Sequence, residues 1–303
     1  MHLLALLLAL GAQHLTPPPR GWPDVAYGRL ALWISRQLDA GDRRTGALAL
    51  AALLAATCLP VLLLGWLASA VHPVALLAVN AAALFLSLRF FQTTAAVAAI
   101  ERALRSGDPG RAQSELSRWS DEAQPGGAGD PVAPRAALRG LREAHHGTFG
   151  MLFWFAILPG PLGLVLHPVL RRAAELWGPP VEGQQSSAFG GLARQAFHWL
   201  DWLPQRATAL TFAVVGNFED ALYCWRTQAV PGQPARDAVV LAAGAGALGI
   251  QFSEAAPAAG EPPSLLGAGA PASEDVLGSL GGLLWRALVL WVVAYAVLAA
   301  AAG

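Results

Sequence analysis

Long uncharged apolar runs alternate along the chain with short polar or arginine-bearing stretches. A helix needs about twenty mostly apolar residues to cross a bilayer, since only a segment whose backbone hydrogen bonds are internal can enter hydrocarbon. Thr45 to Val71 has that length without a charge, and Pro60 predicts a kink near its middle. Val74 to Leu88 is also uncharged. Only His72 and Pro73 separate the two runs, so together they predict a tight helical hairpin. Phe149 to Leu170 is interrupted by Pro159-Gly160-Pro161, which predicts either a kinked span or a re-entrant pair. The last span is Gly282 to Ala302, with Trp285, Trp291 and Tyr295 as interfacial anchors and Arg286 positioned to snorkel.

Shorter apolar runs cover Met1 to Ala12, Ala207 to Val215 and Ala238 to Phe252. The first has the length of a signal-peptide core but neither a positive n-region nor a small-x-small cleavage site. It reads as an uncleaved, partly inserted segment. The glycine-interrupted Ala242 to Ile250 suits close helix packing. Between the hairpin and Phe149 the pattern turns amphipathic: TTAAVAAIERALRSGD has helical spacing and stops at Asp108-Pro109-Gly110. RAQSELSRW then restarts a helix, Gln124 to Gly129 marks a turn, and a third helix begins near Ala133. Phe189 to Trp202 is a second amphipathic piece, suited to a membrane interface. The Ala, Pro, Gly and Ser of Glu254 to Gly281 read as a loop with little intrinsic order.

The predicted architecture is all-α: a single polytopic helical membrane domain over residues 1–303, with about four to five membrane-embedded helices. Its parts are a hairpin at 45–88, a cytoplasmic helical insert at 89–148 and the proline-broken segment at 149–170. Amphipathic and short apolar helices come next at 189–252, with the C-terminal span at 282–302. Arg20, Arg29, Arg36, Arg43 and Arg44 precede the hairpin. Arg89, Arg102, Arg105, Arg111, Arg118, Arg135, Arg139 and Arg142 lie beyond it. A hairpin that crosses twice leaves both groups on one side, which the positive-inside rule assigns to the cytoplasm of a bacterial inner membrane.

Composition adds exclusions. The chain is 55% hydrophobic and 13% charged, against roughly 25% charged in soluble domains. Twenty cationic residues balance twenty acidic ones, which argues against a nucleic-acid groove and leaves the lipid bilayer as the partner. Every cation is arginine, so no Walker A or Schiff-base lysine exists. Cys58 and Cys224 form neither a disulfide framework nor a thiolate metal pattern. No GxSxG, HExxH or GxGxxG occurs.

Three polar groups stand out. His145 and His146, beside Glu143, are the densest metal-capable set, but neighbouring residues of a regular helix point about 100° apart and cannot both face one ion. The open alternatives there are a metal or acid-base role and a polar helix end at the membrane surface. His167 lies within an apolar run, where a polar group is costly and often functional. Its other reading is an interfacial histidine capped by Pro168. Leu200 to Arg226 gathers Asp201, Arg206, Asn217, Glu219, Asp220 and Arg226 around a short apolar helix. These either line a polar cavity for an anionic group or cap a surface-lying helix.

The order of features resembles the CobD/CbiB membrane family of cobalamin biosynthesis and its relative AmpE. Phe90 to Trp119, Phe149 to Leu170, Leu200 to Arg226 and Gly244 to Phe252 carry the resemblance, most specifically through Asp-Trp-Leu-Pro-x-Arg and GALGIQ. It implies adenosylcobinamide-phosphate synthase, which joins an aminopropanol phosphate or its ethanolamine analogue to a propionate of adenosylcobyric acid. Carboxylate activation by a nucleotide and Mg2+ bound by acidic groups would go with that reaction. Several implied acids are replaced here. Gly11-Ala12-Gln13 stands for Gly-Asp-Pro, and Leu141, His145, His146 and Phe149 stand for two glutamates, an Asn and an Asp. His167, Leu170 and Ala173 replace a Lys and an Asn-x-x-Asp, and Phe197-His198 replaces paired aspartates. Asp201 and Arg206, beside Pro204, remain.

Missing acids favour a degenerate site without cofactor, as in AmpE-like members, which share Leu-Asp-Trp-x-Pro-x-Arg and the Phe153-Trp154 pair. The expectation is therefore an AmpE-like regulatory or accessory membrane protein with cell-wall-recycling partners. The alternatives are the synthase, using Mg2+ and ATP, and a transporter with a midplane site at His167 and the Arg206 region.

Overall fold

The computed structural model describes residues 1–16, 18, 22–119, 131–177, 188–229, 237–253, 265–273 and 275–301. In chain order its helices are α1 (His2–Leu15), α2 (Trp22–Leu38), α3 (Arg43–Val71), α4 (Pro73–Ser87), α5 (Phe90–Arg105), α6 (Pro109–Trp119), α7 (Val132–Ala144), α8 (Gly150–Ile157), α9 (Leu162–Leu176), α10 (Ala188–Val215), α11 (Phe218–Gln228), α12 (Ala238–Leu248) and α13 (Val276–Ala301). A π-helical turn, His145–Phe149, links α7 to α8. Three short strands, β1 (Ile250–Ser253), β2 (Leu265–Gly267) and β3 (Ala270–Pro271), precede α13. The all-α expectation holds. Arg20 and the turn expected at Gln124 to Gly129 lie outside the described residues.

Among the described residues, three segments are long and apolar enough to cross a membrane: Arg43–Val71, Pro73–Arg105, which joins α4 and α5, and Val276–Ala301. Their apolar side chains point largely outward. Leu59 and Trp66 of α3 and Val289 and Val297 of α13 are all exposed, as a lipid-facing surface requires. The chain is a multi-pass membrane protein. The predicted turn between the first two spans is present: His72 ends α3, and its Nδ1 accepts a hydrogen bond from the Val74 amide at the start of α4.

Contacts divide the chain into two compact units. The first comprises Met1–Leu88, His146–Pro204 and Tyr295–Gly303; the second comprises Arg89–His145 and Gln205–Ala294. Within the first, α2, α3, α9 and the early turns of α10 enclose a core that includes Ala31, Leu53, Val169, Ala173, Phe189 and Phe197. Trp177 fixes α9 to α2 by donating its indole N–H to the Ala31 carbonyl at 3.1 Å. α1 packs on α4, where the Gln13 amide donates to the carbonyls of Phe85 and Leu88 at 2.7 and 2.9 Å, filling acceptors that a helix end leaves open.

The proline-broken segment is a helical hairpin. α8 and α9 pack on each other, and Gly160, at φ +58°, turns the chain between them. At eight residues, α8 is too short to cross the hydrocarbon layer alone, since it extends only about 12 Å. Gly163 lets the backbones meet: a Cβ there would lie 2.6 Å from the Trp154 carbonyl oxygen and 2.7 Å from the Phe155 nitrogen.

In the second unit α5, α6 and α7 pack together, and α12 lies against α11. The small residues of α12 permit this, for a Cβ at Gly246 would collide with the backbone of Asp220. Three expectations need adjustment. The amphipathic piece from Phe189 and the apolar piece to Val215 form one helix, α10, because losing one hydrogen bond at Pro204 does not break a long, well-packed helix. α13 starts at Val276, ahead of the expected Gly282. The stretch read as an unordered loop contains β2 and β3, paired with β1 in the order β2-β1-β3. Its order comes from outside the segment: the Gln228 side chain bonds both the amide and the carbonyl of Gly267, at 2.7 and 2.8 Å. Residues 254–264 of that stretch are outside the described residues.

Candidate functional site

Among the described residues, the first unit buries the ionisable pairs His167–Asp201 and Arg171–Asp24, and both draw on one face of α9. His167 and Arg171 are four residues apart, so their side chains project in nearly the same direction. His167 Nε2 lies 2.9 Å from Asp201 Oδ1 on α10, and neither side chain has any exposed surface. One turn further on, Arg171 donates to Asp24 Oδ2 on α2 at 2.8 Å and lies 3.4 Å from Glu175. A carboxylate so far from water is tolerated only with a partner, which fixes the mutual positions of α2, α9 and α10. Pro168 follows His167 inside α9. Lacking an N–H, it cannot bond back to the preceding turn of α9 at this point.

His146 completes the cluster. Its ring, 5% exposed, lies 5.9 Å from that of His167 and 5.9 Å from that of Phe197, centroid to centroid. Phe197 also meets His167 edge to face at 5.6 Å, so one aromatic ring screens both imidazoles. One ligand atom from each of His146, His167 and Asp201 lies within 4.8 Å of the others. The side chains come from three elements: the π-helical turn, α9 and α10. Their surroundings are apolar, with Val165, Val169, Leu170 and Ala193 in the same core.

The premise of a regular helix at His145-His146 does not hold. His145–Phe149 is π-helical, and a π-turn adds a residue that rotates the succeeding side chains by about 100°. His146 therefore opens the α8 hairpin with its own orientation. His145 belongs to the second unit, where its Nδ1 lies 2.9 Å from Thr208 Oγ1 on α10.

The remaining predicted residues are distributed over the second unit. Glu143 lies between two guanidinium groups, 3.8 Å from Arg89 and 3.5 Å from Arg139. Arg206 is half-buried on α10 beyond Pro204. Asn217, Glu219 and Asp220 gather at the start of α11. There Asn217 caps the helix by accepting from the Asp220 amide, while its own amide donates to Asp220 Oδ2 at 2.6 Å. Acidic groups there also face the positive end of the helix dipole. Arg226 is exposed near the other end of the same helix.

Sequence reasoning kept His167 and Asp201 in separate groups. What the chain does show is that each needs a buried partner, since one is a histidine inside an apolar run and the other an aspartate flanked by Leu200 and Trp202. Chemically, a histidine held by a carboxylate can store and orient a proton. Two imidazoles and a carboxylate can also ligate a first-row transition metal. The set fits Mg2+ poorly, because that ion takes near-octahedral oxygen ligands and the cluster offers one carboxylate.

Comparison with known proteins gives a consistent result. Residues 6–280 match the family model described as CobD/Cbib protein. A protein of Chromobacterium violaceum, "Cobalamin biosynthesis protein CobD", is 30% identical over 291 residues, covering 91% of this chain and 90% of that protein. A protein of Stutzerimonas stutzeri with the same description is 30% identical over 290 residues, covering 92% of this chain and 91% of that one. No solved structure matches the chain.

Proposed function

Because the chain belongs to the CobD/CbiB family, we propose that it acts in cobalamin biosynthesis as a membrane-embedded amide synthase. The substrates would be adenosylcobyric acid and an aminopropanol phosphate or its ethanolamine analogue. The observation that carries this reading is the continuity of the match: two relatives described as cobalamin biosynthesis proteins align over about nine-tenths of both chains. The AmpE-like expectation has no such support from these relatives, so the order of the two readings is reversed. The enzyme would lie in the bacterial inner membrane with its arginine-rich segments at the cytoplasmic face, where corrinoid and phosphorylated amine are soluble.

Amide formation in this reading draws on Mg2+ and a nucleotide. The buried cluster of His146, His167 and Asp201 does not fit the metal part of that requirement, so no step is assigned to it through Mg2+. The second reading, an AmpE-like regulatory or accessory protein, rests on the acids replaced at Leu141, Phe149 and Phe197. One experiment separates them. In a strain lacking its own synthase and supplied with cobyric acid, expression of this chain is expected to restore cobalamin-dependent growth. Absence of growth, with the protein present in the membrane fraction, would overturn the synthase reading. Altered β-lactamase induction on deleting the gene would then support the regulator.

A further inference from the structure

We propose that His146, His167 and Asp201 form a binding site for a single divalent first-row transition metal of the Zn2+ or Co2+ class, buried in the first unit. Three observations support it. The ligand atoms come from separate elements and lie within 4.8 Å of one another. Ligands bonded to one ion at 2.0–2.2 Å are separated by about 3.3 Å in a tetrahedral arrangement. The 2.9 Å contact between His167 and Asp201 is shorter than that separation and the 4.8 Å limit is longer, so small side-chain rotations bring the three onto one ion.

Burial is the second observation. His146 is 5% exposed, and His167 and Asp201 have no exposed surface, so an ion held between them would be shielded from bulk water. The third is donor chemistry. Two nitrogens and one carboxylate oxygen match zinc sites of the His2-carboxylate type and the 2-His-1-carboxylate arrangement of iron and cobalt, and leave a coordination position open. Phe197, against both imidazoles, supplies a dry, apolar wall of the kind that strengthens metal–ligand bonds and limits solvent entry. Asp201 contacts His167 directly, so the site is held together before an ion arrives.

This site is independent of the proposed reaction, and its test needs no corrinoid. The full chain, carrying a histidine-free purification tag, is extracted in detergent, stripped with chelator and dialysed against micromolar Zn2+ or Co2+. About one equivalent is expected by elemental analysis, with the intense visible absorption of four- or five-coordinate Co2+. His167→Ala, His146→Ala and Asp201→Asn are each expected to weaken binding by at least about tenfold. His198→Ala, at an exposed position on α10, is expected to leave it unchanged. Monodisperse wild-type protein that takes up less than about one-tenth of an equivalent would overturn the proposal whatever the variants do. So would full occupancy in a monodisperse His167→Ala protein, or displacement of Co2+ by an equal concentration of Mg2+. Restored growth in the synthase-deficient strain together with failed metal binding would sink this site and spare the synthase reading; the opposite pair of results would do the reverse.

Discussion

A carboxylate without exposed surface is stabilised by what it touches, and Asp201 touches His167. Removing one member of such a pair leaves the other buried and uncompensated, at a cost of about 3–5 kcal/mol. Replacing both by apolar residues of similar size removes the desolvation cost as well. Asp201→Leu alone is therefore expected to lower stability by about 3 kcal/mol. The double variant Asp201→Leu with His167→Phe should lose less than the sum of the two single losses by at least about 0.5 kcal/mol. Unfolding in mixed detergent micelles, monitored by tryptophan fluorescence, measures all four corners of the cycle. Strict additivity would mean that the 2.9 Å contact is not an energetic coupling. Arg171 and Asp24 form a buried pair one turn along α9, so this helix is held by polar contacts to both α2 and α10 as well as by its apolar core.

At the scale of elements, the α8–α9 hairpin depends on the absence of a side chain at Gly163. Alanine there would bring a Cβ within 2.6 Å of the Trp154 carbonyl oxygen, and backbone cannot rotate away as a flexible side chain can. Gly163→Ala is expected to cost about 1–3 kcal/mol through overpacking. Gly281→Ala on α13, where nothing lies within 4 Å, should be neutral or stabilising by up to about 1 kcal/mol from helix propensity. The same micelle unfolding assay reads both, and a Gly163→Ala protein as stable as wild type would mean that the two helices can separate freely.

Helices of this kind were legible because hydrocarbon thickness dictates their length: α3, α4 and α13 stand close to where the uncharged runs placed them. What escaped the pattern was tertiary in origin. Phe189 to Trp202 and Ala207 to Val215 read as separate pieces, yet both lie in α10, with Pro204 inside it. β2 has no local signal and is ordered by Gln228, 39 residues away from Gly267. The π-turn at His145–Phe149 obeys no periodicity that a regular helix would show, so the regular-helix argument that His145 and His146 cannot both face one ion started from the wrong backbone. Individual site residues could be named from the chain, but their grouping could not, since His167 and Asp201 are 34 residues apart and meet only when α9 packs on α10.

For the whole molecule, charge placement and span count together determine orientation. α3 and α4 are joined by a turn of a single residue, His72, so if both cross, the turn lies on one side and the segments before α3 and after α4 lie on the other. Arg29, Arg36, Arg43 and Arg44 flank one end of the hairpin, and Arg102, Arg105, Arg111 and Arg118 lie beyond the other. The turn itself carries no arginine, so the positive-inside bias acts at both ends in the same direction. The native thiols do not confuse a labelling test, because Cys58 and Cys224 are buried and can be replaced by alanine. In that background Val71→Cys, an exposed position beside the turn, should react with a membrane-impermeant maleimide added to spheroplasts. Asp39→Cys and Ser106→Cys, both exposed, should react only in inverted vesicles. Labelling of all three from one side would mean that the hairpin dips into the bilayer without crossing it. Exchange of the two patterns would invert the molecule and place its arginine-rich face outside, away from any cytoplasmic substrate.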